Sequence, residues 1–347
     1  MEIFPKNLGT RPRVAAELRP EGIVAARAED AAGILVATAE HPLEPTALVP
    51  GLHEGNLANR ASVVAALRSV LDSVSGRAGD RGRPITLIVP DATVRVLLLD
   101  FDALSSKPAE ALAVIRFRLK KLLPFDSEHA AISYQVMSSS KNAVRVLAVA
   151  MPHVVLAEYE DAVAAAGYTA GSVLPSTLAA LAGLDEQATP TLTVNAGHGS
   201  VTTAIVQGGV LLLHRFLELA DDLPLSDSRQ DALPIPPLDS ADARIAAEAA
   251  IEASVLASVE EAMAGREIAQ AISVAAAYFE DMLGISPDRI YSAGTLTAGT
   301  LRSILEEDTQ TSVEVREIVG PEMLAAGAAT RSIVLSLLAG VRGALAH

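Results

Sequence analysis

Short apolar runs separated by turn residues open the chain, and they predict a β-meander. Residues 13–18, 23–26 and 33–38 are largely apolar, and a Pro-Glu-Gly turn at 20–22 separates the first two runs. Runs of this length between Gly and Pro are typical of strands. At 59–75 the apolar positions change to helical spacing, so a helix is expected to cover the meander.

The same two periodicities predict the remaining elements. Continuous apolar runs at 84–90 and 94–100 are typical of strands covered on both faces. A helix predicted at 107–123 is expected to end there, because the residue before Pro124 avoids helical backbone angles. The other predicted elements are helices at 153–166, 245–283 and 297–307, and strands at 131–136, 144–150, 288–295 and 313–316.

A second meander is predicted at 191–216, where strands flank a turn rich in Gly, Ser and Thr. Glycines let a backbone approach a ligand, and their amides with nearby hydroxyls can hold a phosphate. Asn195 stands where such a loop would need an acid to organise a metal. Three interpretations stay open, namely a structural hairpin, a residual nucleotide site and a site for another anion. Two meanders, each followed by helices, indicate a repeated organisation.

Composition narrows the function classes. A chain of 347 residues exceeds one typical domain, and its net charge of −15 argues against nucleic-acid binding. With no Cys, disulfides and thiolate sites are excluded, and the seven His form no pair or His-Glu cluster typical of zinc sites. The start lacks a basic segment before an apolar run, and no apolar window is long enough to span a membrane. We expect a cytoplasmic protein without a structural metal.

Three further segments have two interpretations each. Residues 333–345 have helical spacing and predict a docked core helix, with a membrane-surface helix as the alternative. The segment 221–244, with six Asp and four Pro, is expected to be an acidic flexible loop, either a spacer or a partner-binding segment. The cations Arg116, Arg118, Lys120 and Lys121 form either a solvated helix face or a docking site for an acidic partner or the membrane surface.

Three segments in this order resemble the PilM family of type IV pilus assembly proteins. They are residues 113–136 with their Pro-Phe and Tyr-Gln-Val patterns, residues 266–279, and residues 337–342. PilM belongs to the FtsA-like branch of the actin/Hsp70/sugar-kinase fold. The resemblance therefore implies an α/β, two-lobed actin-like ATPase fold, built from duplicated ribonuclease H-like domains, with an FtsA-type extra subdomain.

The resemblance also implies a division of the chain. The expected parts are a first lobe at 1–102, an inserted subdomain at 103–170, a return to the first lobe at 171–188, a second lobe at 189–330 with the acidic loop, and a C-terminal helix at 331–347 that docks on the first lobe.

Matched to the phosphate loops of this fold, the chain supplies a weakened set of nucleotide-binding candidates. These are Glu17, Asn195, Gly197, Gly199, Ser200, Thr202, Gly294 and Thr295. Glu21 would bring negative charge to the place of the phosphates, Asn195 replaces the family's acid, and the last turn has one Gly where two are usual. We expect no ATP hydrolysis, no catalytic residue and a degenerate or lost nucleotide site. ATP with Mg²⁺ is the one cofactor that the resemblance leaves open.

The function implied by the resemblance is that of a bacterial, non-catalytic cytoplasmic scaffold, a pseudo-ATPase of pilus biogenesis. It would bind the cytoplasmic N-terminal tail of a PilN-type inner-membrane protein, join other pilus platform proteins, and reach the inner membrane only through them. The expected groove residues are Leu112, Ile115, Leu119, Pro124, Phe125 and Tyr134. Alternatives are an active ATPase or kinase of this fold, and a component of FtsA-like division or type II secretion. Homo-oligomerisation stays open.

Overall fold

A computed structural model describes most of the chain. The described ranges are 12–30, 33–75, 82–185, 188–219, 263–284, 289–308, 314–328 and 333–346. The predicted loop at 221–244 and the first part of the helix predicted at 245–283 lie outside these ranges.

Strands and helices alternate along the chain much as the hydrophobic pattern predicts. The strands are β1 (Val14–Arg19), β2 (Gly22–Ala28), β3 (Leu35–Pro42), β4 (Pro84–Val89), β5 (Arg95–Phe101), β6 (Ala130–Ser139), β7 (Val144–Pro152), β8 (Thr169–Pro175), β9 (Thr191–Gly197), β10 (Ser200–Gln207), β11 (Val210–Glu218), β12 (Arg289–Gly294) and β13 (Glu314–Glu317). The helices are α1 (Arg60–Ser75), α2 (Pro108–Leu119), α3 (His153–Ala166), α4 (Ser176–Ala182), α5 (described over 263–283), α6 (Ala298–Asp308) and α7 (Ala339–Leu345).

Two five-stranded sheets repeat one topology. The first has the order β3-β2-β1-β4-β8, and the second has the order β11-β10-β9-β12-β13. In each, three antiparallel strands form a meander, and two further strands continue the sheet in parallel. This is the duplicated pattern that the two predicted meanders indicated.

Helices cover the first sheet because their apolar faces match it. In α1, Val63, Leu67, Val70 and Val74 share one face and are buried. The helix begins after Asn59, whose side-chain oxygen accepts a hydrogen bond from the Ser62 amide at 3.2 Å. Helix α3 packs beside α1 in the same core, and it ends at Gly167, where φ is +95°.

A third, three-stranded sheet has the order β5-β7-β6. Strand β5 lies before residue 103, yet it pairs antiparallel with β7. Helix α3, in contrast, packs in the core of the first sheet. Strand β5 pairs with β7 and with no strand of the first sheet. The three-stranded sheet therefore includes a strand that precedes the inserted subdomain expected at 103–170. The predicted domain boundaries themselves stay a prediction.

Helices α4 and α7 pack against each other with very little space between them. A Cβ added at Gly343 of α7 would lie 2.8 Å from the Gly183 amide nitrogen and 3.0 Å from the Ala179 carbonyl carbon. A Cβ at Gly340 would lie 2.8 Å from the Cδ atom of Glu17. The two glycines therefore allow α7 to reach both α4 and β1.

The C-terminal segment differs in detail from the predicted helix. Residues 333–334 are extended, a 3₁₀ turn covers Leu335–Leu338, and α7 adds only seven residues. It packs against β1, β2 and β4 of the first sheet, where Val341, Ala344 and Leu345 are buried. Helix α2 likewise ends at Leu119, before the predicted limit, and a turn follows. Among the described helices, none is both long and apolar enough to cross a membrane.

Candidate functional site

The two meander turns face each other across the cleft between the five-stranded sheets. The first turn joins β1 to β2 and carries Glu21, and the second joins β9 to β10 and carries His198. The backbone amide of His198 donates a hydrogen bond to Glu21 Oε1. A Cβ at Gly197 would lie 3.2 Å from the same oxygen. The carboxylate of one loop therefore fills the anion position of the other.

Arg19, the last residue of β1, is the centre of the cleft. Its Nη2 lies 2.6 Å from Glu17 Oε1, 3.0 Å from Ser176 Oγ and 3.2 Å from Asn195 Oδ1. Glu17 and Arg19 share one side of β1 because side chains two residues apart in a strand point the same way. Both are buried. The guanidinium thus joins the first lobe to Asn195 of the second.

A second set of hydrogen bonds extends this network. Asn195 Nδ2 donates to Ser176 Oγ and to Thr177 Oγ1, each at 2.9 Å. The Thr177 amide donates to Asp91 Oδ1 at 3.1 Å, and its hydroxyl donates to Asp91 Oδ2. Thr202 Oγ1 of β10 donates to Asp91 Oδ2 at 3.0 Å. Asp91 therefore links the end of β4, the start of α4 and the second sheet.

Burial dominates the electrostatics of the cleft. It raises the pKa of Glu17, while the Arg19 charge and the hydrogen bond from Ser176 act in the opposite direction. Oε1 of Glu17 accepts from both neighbours, and Oε2 is buried without a hydrogen-bond partner in the described ranges. A buried carboxylate of this kind depends on its cation.

The cleft residues do not fit ATP with Mg²⁺. The Glu17 carboxylate already pairs with Arg19, and the backbone amide of His198 already donates a hydrogen bond to Glu21. Incoming phosphates would have to displace Glu21, and would remain next to two carboxylates. In the described part of the chain, no group of three or more His, Cys, Asp or Glu side chains could hold a metal ion. The arrangement is a contact between the two loops in which Arg19 pairs with Glu17 and a backbone amide binds Glu21.

The structure brings most of the predicted nucleotide-site residues together. Glu17, Asn195 and Thr202 belong to the network, and Gly197 lies against Glu21. The third loop contacts the second, since the Thr295 amide donates to the Ala196 carbonyl at 2.9 Å. A Cβ at Gly294 would lie 2.8 Å from Asn195 Oδ1. The remaining two candidates have structural positions: Gly199 has a φ of +71° in the turn, and Ser200 begins β10.

Sequence reasoning missed four residues of this network. They are Arg19 in its central role, Asp91, Ser176 and Thr177. Asp91 had a detectable signal, because it follows the buried strand β4 after a single residue, Pro90, at the sheet edge where the ends of parallel strands meet.

The three-stranded sheet has both faces covered, which corrects part of the predicted groove. Ile115 and Leu119 are buried in a core with Leu99 and Val146, so they do not line a surface. The opposite face, with Leu147, packs against residues of α4, β10 and β11. Of the other groove candidates, Pro124 is exposed, and Leu112, Phe125 and Tyr134 are partly exposed. Contact of these four with a partner stays a prediction.

His214 on β11 gives the protein an expected pH dependence. Its Nε2 is buried without a partner in the described ranges, and burial lowers its pKa, against the opposing charge of Asp91. The folded state therefore binds fewer protons than the unfolded state below pH ~6.5, the ordinary pKa of His. The contribution of neutral, buried His214 to the free energy of unfolding is therefore fully present above pH ~6.5, and it is lost as the pH falls towards the pKa of the folded state.

Urea unfolding between pH 7.5 and 5.5 measures the effect. In the native protein the free energy of unfolding is expected to fall as the pH is lowered. We expect His214→Asn to make this fall less steep, by up to about 1.4 kcal/mol per pH unit. The control is His153→Asn, since His153 is exposed. A slope unchanged by His214→Asn, or changed equally by His153→Asn, would contradict the assignment.

Topology and site together define the fold class. Two meander-based sheets of identical strand order, with facing loops in the cleft between them, are the actin-like ATPase fold. No protein-family model matches the chain, and no curated protein matches it either.

Among solved structures, the chain is similar to one described as the PilM–PilN type IV pilus biogenesis complex. The identity is 18%, the TM-score is 0.71, and the match covers 96% of this chain and 98% of that one. A second similar structure is the ethanolamine utilization protein EutJ from Carboxydothermus hydrogenoformans, with 12% identity, a TM-score of 0.50, and coverage of 98% of this chain and 92% of that one. The PilM-like fold expected from the sequence is thereby confirmed.

Proposed function

We propose that this protein is a non-catalytic scaffold of a type IV pilus-like assembly platform. The observation that carries the proposal is the cleft, in which Arg19 and Glu21 take up the groups that a nucleotide would need. The proposal is supported by the fold, which matches the PilM–PilN complex structure over nearly the whole chain. In this role the protein would act by binding its partners, without hydrolysing a nucleotide.

The proposed partner is the cytoplasmic N-terminal tail of a PilN-type inner-membrane protein, which would hold this protein at the inner membrane from the cytoplasm. Phe125 is partly exposed and follows the exposed Pro124 in the chain, and Tyr134 of β6 is partly exposed as well. Tyr134 Oη donates to the Pro108 carbonyl at 3.4 Å, which fixes the ring beside the start of α2. Apolar rings and a proline with free surface are suited to anchor an extended peptide.

Calorimetry on the full chain tests both parts of the proposal. A synthetic peptide with the sequence of the cytoplasmic N-terminal tail of a PilN-type protein from the same organism is expected to bind with micromolar affinity, equally with and without Mg-ATP. Phe125→Ala is expected to weaken this binding at least about tenfold, the scale of a truncated aromatic anchor. Phe117→Ala, on the outer side of α2, is the matched control and is expected to have no effect.

Two results would contradict the proposal. The first is absence of peptide binding by the folded protein. The second is micromolar binding of Mg-ATP with release of phosphate, which would favour an ATPase or kinase of the same fold.

A further inference from the structure

Helix α2 has a second apolar face that is turned away from the protein. Its inner face, with Ala111, Ile115 and Leu119, is buried on the three-stranded sheet. Outside, Phe117 is 72% exposed and Val114 is 46% exposed, and Leu122, in the turn after the helix, is 49% exposed. Among the large hydrophobic side chains in the described ranges, Phe117 is the most exposed. Because these three apolar side chains are largely exposed, packing of the protein core does not explain them.

Cations surround this outer face. Arg118, Lys120 and Lys121 are exposed, and in the described parts of the chain they make no ion pair or side-chain hydrogen bond. Arg116 differs from them, because its Nη1 donates to the Ser127 carbonyl and, at 3.3 Å, to the Ala130 carbonyl. The basic cluster of the sequence thus divides into one structural arginine and three free cations.

These residues form one continuous surface. Positions 117 and 118 lie three and four residues after 114, and position 121 lies four and three residues after them, so the four side chains are on the same side of the helix. Backbone bonds from Lys121 to Arg118 and from Leu122 to Leu119 continue the helical path past Leu119. The acid on this side, Glu110, is paired with Lys107 at 2.8 Å. The surface is therefore locally cationic on a chain with a net charge of −15.

We propose that this outer face of α2 binds the headgroup region of an anionic lipid bilayer. A helix face is convex, and a fluid bilayer adapts to a protruding aromatic ring, whereas a folded partner must supply a matching pocket. Phe117 and Val114 would enter the interfacial zone, and Arg118, Lys120 and Lys121 would meet lipid phosphates. Each cation near such a surface strengthens binding about fivefold.

The acidic remainder of the protein does not prevent this contact. Charges more than about 8 Å from the surface are largely screened at physiological salt. The binding is therefore expected to be weak, reversible and sensitive to salt. It needs no pilus partner, so its test is independent of the proposed tail binding.

The absence of Trp from the chain makes a direct test possible. Phe117→Trp introduces a single indole at the proposed contact, and Val154→Trp, at a residue that is 56% exposed on α3, introduces one elsewhere. On addition of phosphatidylcholine vesicles containing about one third phosphatidylglycerol, we expect a blue shift of the Phe117→Trp protein only, reversed by about 0.5 M salt (~4 Å screening length). A shift at neither position, or at both, would overturn the proposal.

Vesicle co-sedimentation of the full chain measures the contributions of charge and ring. Lys120→Glu with Lys121→Glu is expected to reduce the partition coefficient at least about 25-fold, from two lost cations at about fivefold each. Phe117→Ser is expected to reduce it, and Val154→Ser is not. Equal binding to pure phosphatidylcholine, or unchanged binding of the Glu variant, would refute a bilayer contact. Binding to a soluble acidic peptide without binding to vesicles would instead favour an acidic protein partner.

Discussion

Replacing Gly343 by alanine is expected to lower the free energy of unfolding by about 3 kcal/mol, near the upper end for an overpacked core. The added methyl would lie 2.8 Å from the Gly183 amide nitrogen, and backbone atoms of α4 cannot rotate away as a flexible side chain can. Either α7 must move from the first sheet or α4 must shift between the lobes. Denaturant unfolding followed by circular dichroism measures the change.

Gly265 in α5 is the matched control for this substitution. A Cβ there would meet only Ile304, at 3.6 Å, which is ordinary contact. Alanine in place of a helical glycine is then expected to stabilise the protein by about 0.5–1 kcal/mol. The prediction requires opposite signs at the two positions. Destabilisation of similar size at both would show that the crossing of α4 and α7 has no special sensitivity.

Arg19→Met is expected to destabilise the protein by about 3–5 kcal/mol, because it leaves the buried Glu17 carboxylate without its cation. Adding Glu17→Gln to Arg19→Met is expected to recover a large part of the loss, since the remaining buried group is neutral. For comparison, Arg289→Met removes the surface ion pair with Glu314 and is expected to change the free energy of unfolding far less than Arg19→Met does.

The pH dependence of the Arg19→Met protein gives a second readout. Burial already raises the pKa of Glu17, and loss of Arg19 removes an effect that lowers it. With a raised folded pKa, the folded state keeps a proton that the unfolded state releases, so stability is lost as the pH rises through the folded pKa. The loss in the free energy of unfolding of Arg19→Met, relative to the native protein, is therefore expected to be smaller at pH 5 than at pH 8. A deficit independent of pH would mean that Glu17 is not its source.

The hydrophobic pattern was sufficient for most of the fold, and where it failed the reason is physical. Alternating or continuous apolar runs predicted β1 to β4 because each run lies between clear turns. Helix α4 was missed: its seven residues are buried on all sides, so no polar face marks it. Strand β8 was missed too, since Gly171, Ser172 and Pro175 reduce its resemblance to a strand.

The site was only partly predictable, because its contacts are remote in sequence. The three phosphate-loop matches identified Glu17, Asn195 and Thr202, and the structure brings all three together. The role of Arg19 could not be read, since its partners Ser176 and Asn195 lie 157 and 176 residues away. Sequence also showed Glu21 as an unsuitable neighbour for phosphate, but not that its carboxylate binds the opposing loop.

The hydrogen bond from the His198 amide to Glu21 holds the two loops together with a group of the chain itself, not with a bound nucleotide. A carboxylate carried by the chain has a fixed effective concentration, and it cannot be diluted, exchanged or hydrolysed. A cleft closed by a nucleotide would follow the adenylate energy charge. For the scaffold proposed above, a cleft closed by its own side chain is expected to keep the same geometry at every nucleotide level, and the supply of partner molecules would then control assembly.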